Sequence, residues 1–246
     1  MGSISILPNA KGRSAFVTGA AGGIGRAVVD MLLDSEVSVI ATGRRPLSID
    51  DERVLKLTLD VTDEVAVRSA FAETGKKFGR LDYVIHMAGM VGDGRLDETS
   101  LADWKTVLDT NLTSAFLILR EAYPLMRKNG GTVVLCGSSN GTNGGSYLSG
   151  PAYASSKAGL NNLTRYCAKE WAPDQIRVHC LSPGPVDTPM LDRLDEKQHA
   201  SLLSALPLGS YATARQCAAA VLFLCSEHAA SMTGTTTNIS SGLVLD

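Results

Sequence analysis

The sequence has no long hydrophobic run, no block of one charge sign and no closely paired cysteines. Its longest apolar run, AAAVLFLC (Ala218 to Cys225), is far too short to cross a bilayer as a helix. Lys plus Arg (23) nearly balance Asp plus Glu (25), and no basic stripe interrupts that balance. A membrane-spanning helix is therefore excluded, and nucleic acid and anionic membranes are disfavoured as partners.

The five cysteines are scattered and form no CxxC pair, which disfavours a zinc site or a redox dithiol. They are Cys136, Cys167, Cys180, Cys217 and Cys225. We expect small, buried apolar residues and no bound metal. An odd number of cysteines without a disulfide framework suits a reducing compartment, and the first twelve residues lack the layout of a signal peptide. A cytoplasmic protein is the expectation.

Short β-rich runs alternate with longer helical patterns along the whole chain of 246 residues, of which 44% are hydrophobic. The predicted strands are 14–19, 37–43, 55–61, 82–89, 131–139, 176–182 and 235–240. The predicted helices are about 23–34, 63–78, 101–128, 152–171, 190–205 and 213–226. Most strands are continuously apolar, as expected when both faces are buried. This pattern predicts one α/β domain over residues 1–246, a doubly wound parallel sheet of about seven strands with helices on both faces.

A glycine-rich turn, TGAAGGIG (Thr18 to Gly25), follows the first strand and opens the first helix. Gly19, Gly23 and Gly25 allow a tight turn, close approach to a pyrophosphate, and close packing of the helix on the sheet. The free N–H groups at the start of the helix favour phosphate. The alternative is a plain tight turn, but the position between a strand and an amphipathic helix favours a dinucleotide site.

The end of the second strand, VIATGRRP, bears on the choice between two nicotinamide cofactors. Gly43 stands where an acid often binds the adenosine ribose, and Arg44 and Arg45 follow it. An arginine can pair with a 2′-phosphate, which a carboxylate would repel. NADP(H) is therefore favoured, and NAD(H) remains possible if both arginines are only solvated surface residues.

In their order, the motifs resemble those of the short-chain dehydrogenase/reductase family from about Lys11 to Asp246. The matching pieces are TGAAGGIG, LDVTD, HMAG, TNLTSAF, VVLCGSS, YASSK and LSPGPVDTPM. The resemblance implies a Rossmann-type fold, nicotinamide-dependent oxidation of an alcohol or reduction of a carbonyl, and a homotetramer or homodimer built through the long helices. Two pieces depart from the family: His86-Met87 replaces Asn-Asn, and the segment 240–242 reads Ser-Ser-Gly instead of Asp-Gly-Gly.

Tyr153 and Lys157 lie one helical turn apart in YASSK, so their side chains share one face of the helix. A phenol has a pKa of about 10 and is a poor base at neutral pH. The Lys157 ammonium and an oxidised nicotinamide would both favour the phenolate. Tyr153 could then exchange a proton with the substrate oxygen. The resemblance also assigns Lys157 to the nicotinamide ribose. Without the surrounding motifs, a Tyr–Lys pair at this spacing would be interpreted as two ordinary surface residues.

The resemblance adds two further catalytic residues. Ser138 is assigned to hold the substrate oxygen where charge develops, with Ser139 as the alternative. Asn111 is assigned to hold a water that links the lysine to solvent. His86 is interpreted as a packed or locally bonded histidine, not a catalytic base. Because the family's enoyl reductases place Tyr and Lys further apart, C–O chemistry is favoured over C=C chemistry.

The motifs and the resemblance together predict the cofactor-binding residues. They are Gly19, Gly23, Ile24, Gly25, Arg44, Asp60, Val61, Ala88, Gly89, Tyr153, Lys157, Pro183, Gly184 and Thr188. Residues 140–150 and a mobile lid at about 185–210 should flank a small or polar substrate.

The predicted function is an NADP(H)-linked oxidoreductase acting on a ketone or secondary alcohol. Two alternatives stay open: an NAD-dependent polyol or secondary-alcohol dehydrogenase, and a catalytically idle dinucleotide sensor.

Overall fold

Seven parallel strands form the central sheet of the computed structural model, which describes residues 6–7 and 10–245. Positions 1–5, 8–9 and 246 of the predicted domain lie outside the described residues. The strands are β1 (Ser14–Thr18), β2 (Ser38–Gly43), β3 (Val54–Thr58), β4 (Tyr83–His86), β5 (Gly131–Cys136), β6 (Ile176–Pro183) and β9 (Thr236–Ile239), and β7 (Val186–Asp187) pairs separately with β8 (Ala212–Thr213). The order of the main sheet is β3-β2-β1-β4-β5-β6-β9, so the predicted doubly wound Rossmann-type fold is confirmed.

Helices cover both faces of this sheet. They are α1 (Gly23–Asp34), α2 (Glu64–Phe78), α3 (Leu101–Leu108), α4 (Ser114–Met126), α5 (Asn140–Asn143), α6 (Gly150–Trp171), α7 (Glu196–Ser204) and α8 (Ala214–Cys225). Leu32 of α1 and Leu222 of α8 belong to the core on one face, whereas Ile118 of α4 and Leu160 of α6 belong to the core on the other. The two separate cores explain why the strands read as continuous apolar runs.

Strand β1 shows the arrangement directly, because all of its residues are buried. Ala15 and Val17 pack into the core beneath α1 and α8, while Phe16 packs into the opposite core. There the Phe16 ring stacks on Phe71 of α2, with ring centroids 4.3 Å apart. Alternate side chains of one strand thus feed two apolar layers.

Several predicted boundaries were wrong, and the largest error concerns the predicted helix 101–128. A π-helical turn, Asp109–Thr113, separates α3 from α4, and the helix ends at Met126. Two predicted strands, 82–89 and 131–139, end early at His86 and Cys136 because the chain leaves the sheet there to form the site loops. The apolar pattern of the sequence does not reveal these boundaries, because apolar residues continue through them.

The segment after β6 also differs from its prediction. The predicted helix 190–205 begins only at Glu196, where Asp195 forms a capping box with Gln198. A 3₁₀ turn, Pro189–Leu191, precedes it. The pair β7 and β8 and the single-turn helix α5 were not predicted, because elements of two to four residues carry no periodicity.

Four of the five cysteines are buried, as expected, and Cys136 is half-buried. Within the described part of the chain, no cluster of three or more His, Cys, Asp or Glu residues could hold a metal ion. No helix in the same residues is both long and apolar enough to cross a membrane.

Candidate active site

The glycine turn between β1 and α1 is packed too closely for side chains. Gly19 has φ +68°, and a Cβ there would lie 2.8 Å from the backbone nitrogen of Ala88. A Cβ on Gly25 would overlap the carbonyl oxygen of Gly19. The cap residue of α1, Gly22, makes no side-chain hydrogen bond, so the first N–H groups of the helix have no side-chain cap. This turn fits the pyrophosphate of a dinucleotide.

Other predicted cofactor residues surround this turn. A Cβ on Gly23 would lie 3.4 Å from Cγ2 of Thr188, so the segment after β6 reaches the glycine turn. Ile24 is half-buried within α1 and Val61 is buried beside the end of β3. Asp60 accepts hydrogen bonds from the Thr62 backbone and hydroxyl, at 2.9 and 2.8 Å. These bonds hold the pKa of Asp60 below its usual value, so the carboxylate is charged at neutral pH.

The end of β2 is exposed and basic. Arg44 and Arg45 are both exposed, and neither forms an ion pair with the residues that the structure describes. The positive charge of Arg44 also contributes, as the smallest cause, to the lowered pKa of Asp60. Gly43 is buried, and a Cβ on it would first meet the flexible end of Leu47 at 3.1 Å. An anion at this edge would therefore meet two free guanidinium groups.

Tyr153 and Lys157 lie in the first two turns of α6, as predicted. The Lys157 ammonium is 5.4 Å from the centre of the Tyr153 ring. It donates a hydrogen bond to the Cys136 carbonyl at 2.5 Å, and Lys157 is only 3% exposed. The helix is anchored at Gly150, where a Cβ would lie 2.7 Å from the carbonyl oxygen of Asp93. Lys157 is therefore a buried cation held between α6 and the end of β5.

Asn111 lies at the centre of the π-helical turn and is fully buried. Its Oδ1 accepts from the Met90 backbone N–H at 2.8 Å, and its Nδ2 donates to the Met90 carbonyl at 2.9 Å. Nδ2 also donates to the Ser156 hydroxyl at 3.0 Å. A Cβ on Gly89 would lie 3.2 Å from Asn111 Oδ1 and 3.5 Å from Lys157 Nζ, so these two groups meet at Gly89.

Ser138 follows the end of β5 and is buried. Its Oγ accepts from the Asn140 backbone N–H at 3.2 Å, which leaves the hydroxyl proton free for another acceptor. The Asn140 side chain donates to Ser149 Oγ at 2.8 Å and ties α5 to the start of α6. Ser139 is also buried, and its backbone N–H donates to the Pro183 carbonyl at 2.8 Å. The assignment of Ser138 rather than Ser139 stays a prediction.

His86 is buried and fully bonded, which confirms its interpretation as a locally bonded histidine. Ser114 Oγ donates to the Thr110 carbonyl at 2.6 Å, so it accepts from His86 Nε2 at 3.1 Å. His86 Nδ1 then accepts from the Thr18 hydroxyl at 2.9 Å. Burial, and secondarily the charge of Lys157, lowers the pKa of His86 to about 3. The ring is neutral at physiological pH and does not act as a base there.

The structure thus brings the predicted Asn111, Tyr153 and Lys157 to the carboxyl end of β5, two residues before Ser138. Pro183 ends β6, and Gly184 follows it and donates its N–H to the Ile239 carbonyl at 2.9 Å. Sequence reasoning missed the Cys136 carbonyl and the side chains of Ser156 and Asn140. Of these groups, only Ser156 could have been found from the sequence, because it lies inside the YASSK motif. A backbone carbonyl cannot be recognised from residue types.

Comparisons with known proteins agree with this geometry. Residues 19–244 match a family model described as enoyl-(acyl carrier protein) reductase. The chain is 31% identical over 245 residues to the 3-oxoacyl-[acyl-carrier-protein] reductase of Thermotoga maritima, covering 96% of this chain and 99% of that protein. It is 33% identical over 246 residues to the Escherichia coli protein of the same name, covering 96% and 99%. Nodulation protein G of Rhizobium sp. is 33% identical over 243 residues, covering 95% and 98%.

Two solved structures share the fold closely. One, described as the crystal structure of gox2181, has a TM-score of 0.88 at 27% identity and covers 95% of this chain and 96% of that one. The other is the ligand-free aldohexose dehydrogenase of Thermoplasma acidophilum, with a TM-score of 0.87 at 25% identity and coverage of 96% and 95%. The chain therefore belongs to the short-chain dehydrogenase/reductase family and is an NAD(P)-dependent oxidoreductase acting on C=O and CH–OH groups.

Proposed function

We propose that this chain transfers a hydride between NADP(H) and a ketone or secondary alcohol of a small or polar substrate. The carrying observation is the position of the Lys157 ammonium, 5.4 Å from the Tyr153 ring centre and bonded to the Cys136 carbonyl. The buried ammonium and the phenol ring thus lie on the same face of α6, as the Tyr–Lys pair of the family requires. The same ammonium abuts Gly89, where the nicotinamide ribose of a bound cofactor would approach.

The roles of the side chains follow from these contacts. When bound, the nicotinamide supplies a hydride to the carbonyl carbon or accepts one from the alcohol. Tyr153 gives its proton to the substrate oxygen in reduction and removes that proton in oxidation. Ser138 donates its free hydroxyl proton to the same oxygen and stabilises the charge that develops there. Lys157 would hold the ribose of the cofactor, while Asn111 holds the π-helical turn against the loop that follows β4.

The reacting bond is C–O rather than C=C, although the matching family model is described as an enoyl reductase. The one-turn spacing of Tyr153 and Lys157 supports this choice, because the enoyl reductases of the family place these two residues further apart. The relatives named 3-oxoacyl-[acyl-carrier-protein] reductase support carbonyl reduction in the same way.

The substrate class is inferred from the loops beside the site. Residues 140–150 are rich in Gly, Asn and Ser, and most of their side chains are at least partly exposed. The lid at about 185–210 is based on the small β7–β8 pair, and its Thr188 lies against Gly23. Such a site suits a small or polar substrate. An NAD-dependent polyol dehydrogenase is the second candidate, favoured by the structural likeness to an aldohexose dehydrogenase. A catalytically idle sensor is disfavoured because all four predicted catalytic residues are present.

The test is a screen in both directions with NADPH, NADH, NADP⁺ and NAD⁺. The panel should contain 3-oxoacyl thioesters, simple ketones, secondary alcohols and aldohexoses, and cofactor absorbance reports turnover. We expect reduction of a carbonyl substrate with NADPH to be the fastest reaction. Faster oxidation of a polyol with NAD⁺ would select the second candidate, and cofactor binding without any turnover would select the sensor.

We also propose that the enzyme is a homotetramer or homodimer in the cytoplasm. Phe116 of α4 is 49% exposed and Tyr166 of α6 is 61% exposed. Large apolar groups exposed on two helices that pack over the same core suit a symmetric interface.

Light scattering at micromolar concentration should give a dimer or tetramer, and Phe116→Glu should shift the population toward the monomer. A monomeric wild-type protein would refute the interface.

A further inference from the structure

Two serines, Ser155 and Ser156, lie between Tyr153 and Lys157 in the sequence, but one is exposed and the other is buried. Ser155 is exposed on α6, whereas Ser156 is fully buried. A buried hydroxyl next to a catalytic pair must be satisfied by hydrogen bonds, and its partners reveal what it holds in place.

The Ser156 hydroxyl bridges two groups of the site. It donates to the carbonyl oxygen of Tyr153 at 2.7 Å and accepts from Nδ2 of Asn111 at 3.0 Å. Because a hydroxyl has a single proton, its donation to Tyr153 leaves it as an acceptor toward Asn111. The direction of both bonds is therefore determined.

The bridge continues beyond Asn111 to the loop that follows β4. Asn111 exchanges two hydrogen bonds with the backbone of Met90, which is next to Gly89. The first turn of α6, the π-helical turn and the loop after β4 are thus joined by one chain of hydrogen bonds. The Lys157 ammonium lies beside Gly89 in that loop.

We infer that Ser156 is a positioning residue, which holds the Tyr153–Lys157 turn at a set distance from Gly89. This inference rests on the proposed function, since it assigns Ser156 an effect on a reaction that Tyr153 performs. Removing the hydroxyl leaves a buried N–H of Asn111 without its acceptor and frees the first turn of α6 to shift. A shift of about 1 Å in catalytic groups can reduce turnover roughly 100-fold.

The test compares Ser156→Ala with Ser155→Ala, a matched loss of one hydroxyl from the neighbouring position. We expect Ser156→Ala to lower kcat roughly 10-fold or more, with a smaller change in the KM of the carbonyl substrate. Ser155→Ala should match wild type. Ser156→Thr, which keeps the hydroxyl, should recover most of the lost turnover.

A second control separates positioning from general stability. Thr164 is also buried in α6, and its hydroxyl donates to the Leu160 carbonyl at 2.8 Å. Thr164→Val should lower the Tm without a matching loss of kcat. If Ser156→Ala does not fold, Ser156→Cys, which keeps the volume with a weaker donor, should give an intermediate kcat.

Equal kcat values for Ser156→Ala and Ser155→Ala, in an enzyme with clear wild-type turnover, would overturn the inference alone. A loss of kcat in Thr164→Val equal to that in Ser156→Ala would overturn it too, because stability would then explain both. Absence of wild-type turnover with every substrate of the screen would instead overturn the proposed function together with this inference.

Discussion

The two ends of the cofactor cleft are built on different principles. At the predicted nicotinamide end, the side chains of Asn111 and Lys157 are buried and hydrogen-bonded to protein groups. At the predicted adenosine end, Arg44 and Arg45 are exposed and form no ion pair with the described residues. The first region is held by directional bonds in a low-dielectric interior, while the second acts through charge near solvent.

This difference indicates how mutations in the two regions should affect the enzyme. A buried hydrogen-bonded group loses much when one partner is removed, because the other partner stays buried and unpaired. An exposed charge acts over a distance and is screened by salt, so its exchange alters preference more than it damages the fold. Mutations at the nicotinamide end should therefore abolish function, whereas mutations at the adenosine end should redirect it.

The largest effect is expected at Tyr153. Tyr153→Phe keeps the ring over Lys157 and removes only the phenol oxygen, so the proton donor is lost. Turnover should fall roughly 100-fold or more, while the Kd of NADPH stays close to wild type. Steady-state kinetics and a cofactor titration measure the two quantities. Turnover near the wild-type rate would mean that Tyr153 is not the proton donor.

Lys157→Ala should lower both turnover and cofactor affinity, because Lys157 is proposed to serve both. The variant loses the cation beside Tyr153 and the bond to the Cys136 carbonyl, and it also loses the predicted ribose contact. We expect turnover and cofactor affinity each to fall about 10- to 100-fold. An unchanged Kd for NADPH would remove the ribose contact and leave only the electrostatic role.

Cofactor choice tests the exposed end. Wild type should bind NADPH more tightly than NADH by about one to two decades, from a charge-assisted contact of roughly 1.5–3 kcal/mol. The gap should shrink as salt rises. Gly43→Asp with Arg44→Ala should reverse the preference, and the Leu47 side chain beside Gly43 can move to admit the new group.

Paired titrations of NADPH and NADH at low and high salt measure this preference, with Arg45→Ala as the neighbouring control. Tighter binding of NADH by wild type would show that the arginines do not contact a 2′-phosphate. The NAD-dependent alternative would then be preferred.

The smallest effect concerns the loop that positions Ser138. Gly144 and Gly145 both have positive φ, 84° and 71°, so alanine is strained at either. Only at Gly145 would the new Cβ meet the Asn140–Ser149 pair, 2.9 Å from Ser149 Oγ. Gly145→Ala should therefore lower kcat a few-fold, about 0.5–1 kcal/mol in barrier, relative to Gly144→Ala. Equal kcat values in the two variants would show that the Asn140–Ser149 hydrogen bond does not affect catalysis.

The Tyr153–Lys157 pair and the glycine turn were predictable because each depends on residues that lie close together in the chain. Tyr153 and Lys157 share a helix face whatever the rest of the fold does. Gly19 has positive φ and lies against the backbone of Ala88, which favours glycine at this position. The partners of these residues were not predictable in the same way. Met90, Asn111 and Ser156 lie far apart in the chain, and their hydrogen bonds exist only once three elements have packed together.

The sequence by itself determined the order of strands and helices, the glycine turn, the Tyr153–Lys157 pair and the basic end of β2, because periodicity and short-range spacing encode them. The tertiary structure decided where the predicted helix 101–128 opens into a π-helical turn, that His86 is neutral, and that Lys157 is bonded to a strand-end carbonyl. Those features depend on burial and on backbone groups. Every residue has a backbone carbonyl, so residue types do not show which carbonyl binds Lys157. The burial of His86 depends on residues far away in the chain. Both features therefore became visible only in the folded structure.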